Sequence, residues 1–349
     1  MPQAAFAAAA GPLLAAGRVE AVEWTVDIGW MGRPLPPWLA DVLEAYGAAG
    51  RLHGHGTGFS LLSGRLDARQ LTWLSRLRRE VASRPYRTFS EHFGWMTAGA
   101  ARWGPPLPPP ASRHTIALGR DRMLRLAEAA APVGVGLENL ALALGRRDVQ
   151  AQPDLLAALL GPVNGHLHLD LHNLWCQAVN FGEDPHALLA RYPLDRARVV
   201  HVSGGSETTA AGRPFRRDTH DGAVPAPVWA LLDDALGRCP HLEAAFLERI
   251  GSDFGEGRGD AAWARDFATL EARVRACGRP PTEWSPSHTP PPGGPPVLAP
   301  RIESWQLRLH QLLAAAAPPD DIRRVLRDPD LDDAGLETAA ALWQRWGRT

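Results

Sequence analysis

The chain has 349 residues, 45% of them apolar, enough to bury a sizeable core in one large domain with an appendage or in two ordinary ones. That excludes a disordered or fibrous protein. Its 37 basic side chains against 38 acidic ones leave a formal charge of -1, so no strong field draws the whole chain to nucleic acid or an anionic membrane.

Every one of the basic residues other than histidine is an arginine; lysine is absent. Schiff-base chemistry, a lysine general base and a P-loop lysine are therefore closed, since each needs that amine. Cys176, Cys239 and Cys277 are too few and too scattered for a disulfide framework or a thiolate zinc site, which suits a reducing cytoplasm. Residues 1–16 are Ala-rich, without the basic start of a signal peptide, and no run of 18 apolar residues follows. A cytoplasmic protein with no membrane or nucleic-acid partner is expected.

In chain order, short apolar runs that end in polar residues alternate with stretches of helical periodicity. Strands are expected at 21–27, 51–54, 88–92, 133–138, 165–171, 198–202 and 244–248. Helices are expected at 37–49, 67–83, 120–131, 154–160, 185–191, 227–238 and 261–276. About seven such units without a dinucleotide glycine fingerprint after the first strand favour an α/β fold closed as a (β/α)8 TIM barrel over an open sheet. Residues 1–277 form this catalytic domain on that reading. Composition then shifts to a Pro-rich stretch, 278–300, that reads as an extended linker. Residues 301–349 regain helical spacing as a C-terminal helical extension; two or three helices are marginal alone and must dock on the barrel or on another chain.

Nearly every expected strand ends in a histidine or an acid. His53 closes the second, Glu91 and His92 the third, Glu138 with Asn139 the fourth, Asp170 the fifth, His201 the sixth and Glu248 the last; Asp218 and His220 follow the sixth on a loop. Strand C-termini of a barrel converge on one mouth, so these side chains would meet there. Imidazoles with carboxylates suit iron, manganese or zinc. In the run from Gly165 to Asn173, alternation puts His166, His168, Asp170 and His172 on one face. Asp170 is the first choice as a ligand, with His172 and Asn173 close by, while His166 and His168 read as packed, hydrogen-bonded residues. His55, two residues beyond His53, could share its face as a ligand, but the segment 54–58 (GHGTG) reads as a tight turn that would break the alternation. Trp95 and Trp175 are placed to line a substrate pocket. Cys176 has only His172 as a base, a weak case for a catalytic thiol, and the sequence singles out no catalytic acid or base.

At these residues the chain resembles the multinuclear iron-dependent oxidases once called DUF692, which include the methanobactin biosynthesis oxidase and other peptide-cysteine-modifying enzymes. The resemblance rests on LHGHGTGFSLLSG (52–64), FSEHFGW (89–95), LEN (137–139), HLDLHNLW (168–175), VVHVSGG (199–205), DTHDGAVPAPVWALL (218–232) and LERIGSD (247–253), in order. It implies a TIM barrel that holds two or three iron ions and uses O2. It also implies a substrate cysteine in a ribosomally made precursor peptide, and a separate protein that binds the peptide's leader. The family's metal ligands would fall on His53, His92, Glu138, Asp170, His201, Asp218, His220 and Glu248. His55, Asn139, His172, Asn173, Trp95 and Trp175 would lie beside them or in the substrate pocket. The chain departs from the family at His172, where Asn is usual, and at Ser203-Gly204-Gly205, where Ala-Gly-His is common. Arg249 and Ile250 replace the common Trp and Asp, and Glu23-Trp-Thr-Val-Asp27 replaces an acidic-histidine segment.

Two other classes stand beside this one. A divalent-metal sugar isomerase or phosphodiesterase shares the barrel type, but the lysine expected of the former and the basic crescent expected of a nuclease are missing. A metal-binding scaffold that no longer catalyses would explain the altered surroundings of the site.

Overall fold

The computed structural model of the chain describes residues 4–32, 34–99, 104–249, 258–278 and 294–346. Most of the expected 278–300 linker and the end of the LERIGSD segment lie outside the described residues. Helix α1 (Ala4–Ala15) precedes β1 (Val22–Thr25), the one-turn α2 (Val26–Gly29) and α3 (Pro37–Ala48). There follow β2 (Leu52–Gly56), α4 (Ala68–Ser83), β3 (Phe89–His92), α5 (Arg113–Ala130), β4 (Val135–Glu138) and α6 (Arg146–Leu160). Next come β5 (His166–Asp170), α7 (Leu171–Phe181), the short α8 (Pro185–Leu189) and β6 (Ala197–Val202). A hairpin of β7 (Glu207–Ala210) and β8 (Arg213–Arg216) leads to α9 (Ala226–Arg238), β9 (Ala244–Leu247) and α10 (Arg258–Cys277). The C-terminal helices are α11 (Pro300–Ala314), α12 (Pro319–Leu326) and α13 (Asp333–Trp346).

Seven strands pair in the order β1-β2-β3-β4-β5-β6-β9, every pair parallel. The sheet curls until Glu23 on β1 meets His201 on β6 across the interior, Oε1 to Nε2 2.8 Å. This is the expected α/β barrel, nearly closed, with seven strands among the described residues where eight were expected. The antiparallel β7–β8 hairpin was not foreseen.

Local chemistry explains the wall. Asp67 caps α4 and exchanges a reciprocal bond with Gln70, which satisfies two orphan amides of the first turn. Trp73, Leu74 and Leu77 then form its buried face, each buried side chain worth roughly 1.5–3 kcal/mol. On β2, a Cβ at Gly54 would come within 2.8 Å of Phe89, and one at Gly56 within 2.7 Å of Trp73. The glycines let aromatic side chains close on the sheet from outside while His53 and His55 alternate inward. The strand continues through Gly56, so the expected turn does not break the alternation, and His55 keeps the face of His53.

The C-terminal helices pack on the barrel itself. Leu309, Leu313, Leu336 and Trp343 belong to the same continuous apolar core as the strands. Gln306 donates to the carbonyl of Leu62 and accepts from the amide of Gly64, 2.8 and 2.9 Å. A Cβ at Gly104 would collide with Trp343. The amide of Asp332 bonds Leu144, and its carboxylate takes Arg213 of the hairpin. The extension therefore braces the loops after β2, β3 and β4 on the mouth side of the barrel.

Candidate metal centre

Glu138, at the end of β4, is the hub. It is 3% exposed, and its carboxylate is met by imidazoles from three other strands. His55 of β2 stands 3.3 Å away, His92 of β3 3.0 Å and His201 of β6 3.2 Å. His201 Nδ1 also faces Glu248 at 3.1 Å and Asp170 at 3.8 Å. Among the described residues four sets of donor atoms are close enough to share an ion: Glu23–His55–His168, His55–His92–Glu138, Glu138–His168–His201, and Glu138–Asp170–His201–Glu248. Asp218 and His220 sit at the edge of this cluster, bonded to each other at 2.7 Å, with His220 3.4 Å from Glu248.

The alternation expected along β5 holds for His166, His168 and Asp170 and then stops. Asp170 caps α7 by accepting from the amide of Asn173 at 2.6 Å, so His172 belongs to a helix, not a strand. Two asparagines clamp this corner. Asn139 donates to the carbonyl of Asp170 and accepts its amide, 2.9 and 2.8 Å, and Asn173 donates to the carbonyl of Asn139 at 2.9 Å. With Oδ1 engaged in the cap, Asp170 Oδ2 is left buried without a hydrogen-bond partner.

His172 pairs through Nδ1 with Asp218 at 3.1 Å. Its Cε1 lies 2.8 Å from where a Cβ on Gly205 would stand. The two departures from the family pattern therefore meet in space: the imidazole comes from α7, and position 205 carries no side chain beside it. Cys176 Sγ lies 3.7 Å from His172 Nε2, but burial and then Asp218 and Asp170 hold the thiol well above its ordinary pKa, which disfavours a thiolate.

Other expected site residues lie elsewhere. His53 is on the inner face but one layer deeper than His55, bonded to Thr88 at 2.7 Å and outside the four donor sets among the described residues. Glu91 points outward beside Gly56; burial and then Asp27 raise its pKa well above the ordinary carboxyl value. Trp95 is fully buried, bonded to Pro108 and edge-on to Trp305, so packing takes its faces. Trp175 lies beside His172 under the Arg216 guanidinium. Glu23 and His168 join the donor sets although the sequence reading did not choose them. An acid two residues into an apolar strand was the available signal for Glu23, and strict alternation with Asp170 was the signal for His168.

The electrostatics fit a cation. Burial raises the pKa of Glu138, but His55, His201 and His92 outweigh it and hold the carboxyl well below its ordinary value. Burial and the acids around it, Asp218 first, push Asp170 well up. Burial lowers His220, yet Asp218 and Glu248 lift it to about 10. In the protein alone, protons on imidazoles balance the buried carboxylates; a divalent ion can take that role. Buried atoms without a hydrogen-bond partner point the same way: Glu23 Oε2, His92 Nδ1, His168 Nε2 and Asp170 Oδ2.

His53 behaves differently, because burial pushes its pKa from the ordinary 6.5 down to about 4. The folded protein keeps it neutral while the unfolded chain takes up a proton, so its contribution is present at neutral pH and lost as pH falls from 6.5 to 4. The His53→Gln variant should lack this dependence. Urea unfolding across that window should show wild type losing up to about 3 kcal/mol relative to the variant; parallel curves would refute a neutral His53.

A parallel α/β barrel with imidazoles and carboxylates gathered at its mouth is the build of a metal-dependent barrel enzyme. Residues 30–253 match the family described as RiPP precursor modification enzyme MbnB/TglH/ChrH, and the chain belongs to that family. A UPF0276 protein of Caulobacter vibrioides is 32% identical over 219 residues, covering 62% of this chain and 74% of its own length. One from Acaryochloris marina is 28% identical over 222 residues, 59% and 77% of the two chains. Among solved structures, a xylose isomerase-like TIM barrel protein from Mycobacterium smegmatis in complex with magnesium is similar at 15% identity and a TM-score of 0.41. It covers 69% of this chain and 80% of its own. Among the described residues no helix is long and apolar enough to cross a membrane.

Proposed function

We propose that this protein is a multinuclear iron-dependent oxidase that modifies a cysteine of a ribosomally synthesised precursor peptide with O2. The observation that carries the reading is Glu138, one buried carboxylate contacted by imidazoles from three strands and flanked by Asp170 and Glu248. So many donors exceed the needs of a single ion, and a carboxylate with imidazoles on both oxygens is suited to bridge two.

Glu138, His55, His92, His201, Asp170 and Glu248 would hold two ions, with Asp218 and His220 at the rim available to a third. Glu23 and His168 close the inner side, and His53 supports β2 from below. Iron so held supplies Lewis acidity and the electrons for reaction with O2. The chain's own residues orient and shield. Asn139 and Asn173 fix Asp170, and Ser90 bonds both His55 and His168, 2.9 and 2.7 Å, which sets their ring orientation. The His172–Asp218 pair stands on the side of Trp175, where it can hold a proton beside an incoming thiol. The peptide, and a separate leader-binding protein, are the partners this reading requires.

Protein purified without oxygen from iron-57-grown cells should carry two or three magnetically coupled irons per chain by ICP-MS and Mössbauer spectroscopy. Addition of O2 and a cysteine precursor encoded beside the gene should change the peptide's mass. One zinc or manganese in place of iron would move the function to isomerase or hydrolase chemistry, and no bound metal would favour the scaffold reading.

A further inference from the structure

The barrel wall is incomplete at one place among the described residues, the seam between β1 and β9, which are not hydrogen-bonded to each other. Every residue of β2, β4, β5 and β6 is buried, whereas all four of β9 and three of the four in β1 are only half-buried. The amides of Val22 and Glu248 bond back into the sheet, to the carbonyls of Arg51 and Val202. Alternation along a parallel ladder therefore turns the main-chain groups of Glu23 on one edge, and of Ala245 and Leu247 on the other, into the seam. Between the edges lies a cavity of about 430 Å³, walled by apolar side chains of α1, α3 and α10, Leu14, Trp38 and Phe267 among them. Its inner end reaches Glu23, His220 and Glu248 of the candidate centre.

We infer that this seam is a strand-addition site, which receives an extended apolar segment of the peptide on which the centre acts. The inference rests on the peptide reading above and adds where the peptide binds. Two edges without a strand partner among the described residues offer main-chain donors and acceptors, which an extended main chain can satisfy. The apolar walls suit its side chains. A cavity of about 430 Å³ suits an extended segment rather than a folded partner, and a segment seated here reaches Glu23, His220 and Glu248.

The probe is a capped hexapeptide of alternating Val and Thr with one Cys, compared with its analogue N-methylated at every second residue. With the full-length, metal-loaded protein, the unmodified probe should slow amide hydrogen exchange at Glu23, Ala245 and Leu247 by at least about tenfold, and the N-methylated one should not. Ala245→Pro removes a seam donor without breaking the ladder to β6, and Leu14→Trp fills the cavity. Each should weaken the probe about tenfold or more by fluorescence anisotropy, with metal content unchanged. Equal binding of both peptides, or no protection at about 1 mM probe, far above the affinity of a specific peptide site, overturns the inference. Seam protection by the probe, with no mass change in the precursor peptide when it is supplied with its leader-binding partner and O2, would sink the oxidase reading alone. Cysteine oxidation with unprotected seam amides would sink this inference alone.

Discussion

Glu138→Gln is expected to strip the centre of all its metal. The substitution keeps the size of the side chain and removes its charge, and that charge is what His55, His92 and His201 face from three different strands. A neutral amide binds a hard or borderline cation poorly, and it cannot bridge two ions with two anionic oxygens. Changing a residue that merely supports a ligand costs 10–100-fold in metal affinity as a rule; loss of the hub ligand should cost at least about 100-fold. ICP-MS on the anaerobically purified variant is the measurement. Retention of the wild-type metal count would remove Glu138 from the centre and the multinuclear reading with it.

Gly205→Ala should produce a partial loss instead. A methyl group there would lie 2.2 Å from the carbonyl of Arg217, 2.8 Å from His172 and 3.0 Å from the amide of Thr219. Two of those atoms are backbone, so the side chain cannot simply rotate away; the 217–220 loop must shift. That loop carries Asp218 and His220, whereas Glu138, His55, His92 and His201 sit on strands that this clash does not touch. The expected protein is folded, with about one metal fewer per chain and the loss of peptide turnover. A shift of several tenths of an ångström suffices, since misplacement of about 1 Å costs on the order of 100-fold in rate. An unchanged metal count together with full turnover would show that the loop is not part of the centre.

The barrel and the broad site were legible because both follow from periodicity. Alternating strands and helices announced the fold, and the polar ends of those strands announced the mouth. What escaped depended on the third dimension. Gly54 and Gly56 looked like the makings of a turn, but they are strand positions whose missing side chains admit Phe89 and Trp73, and this returns His55 to the inner face. Counting along the strand could not tell which of His53 and His55 lies at the depth of Glu138; the register with β3 and β4 decides it. Glu91 ended its strand as convincingly as His92 did, yet adjacent residues point to opposite faces. Only one of the two can reach the interior. Trp95 was legible as an aromatic near the mouth, but its contact with Trp305 crosses more than two hundred residues of sequence that periodicity does not connect.

Asp170 ties the chemistry of the centre to the integrity of a helix. One of its oxygens caps α7 while the other faces the donor cluster, so a cation held by the second oxygen restrains the first. Any state in which the first turn of α7 opens must then surrender part of the bound metal's free energy. By mass action the helix gains stability as RT ln(1 + [metal]/Kd), about 2.7 kcal/mol at a hundredfold excess over Kd. Helix α7 also carries His172 and Trp175, the side chains that the proposed function sets beside the substrate thiol. On that reading a loaded centre holds the first turn of α7, and with it the substrate side of the pocket, in one arrangement, and an unloaded chain is expected to discriminate less between peptides.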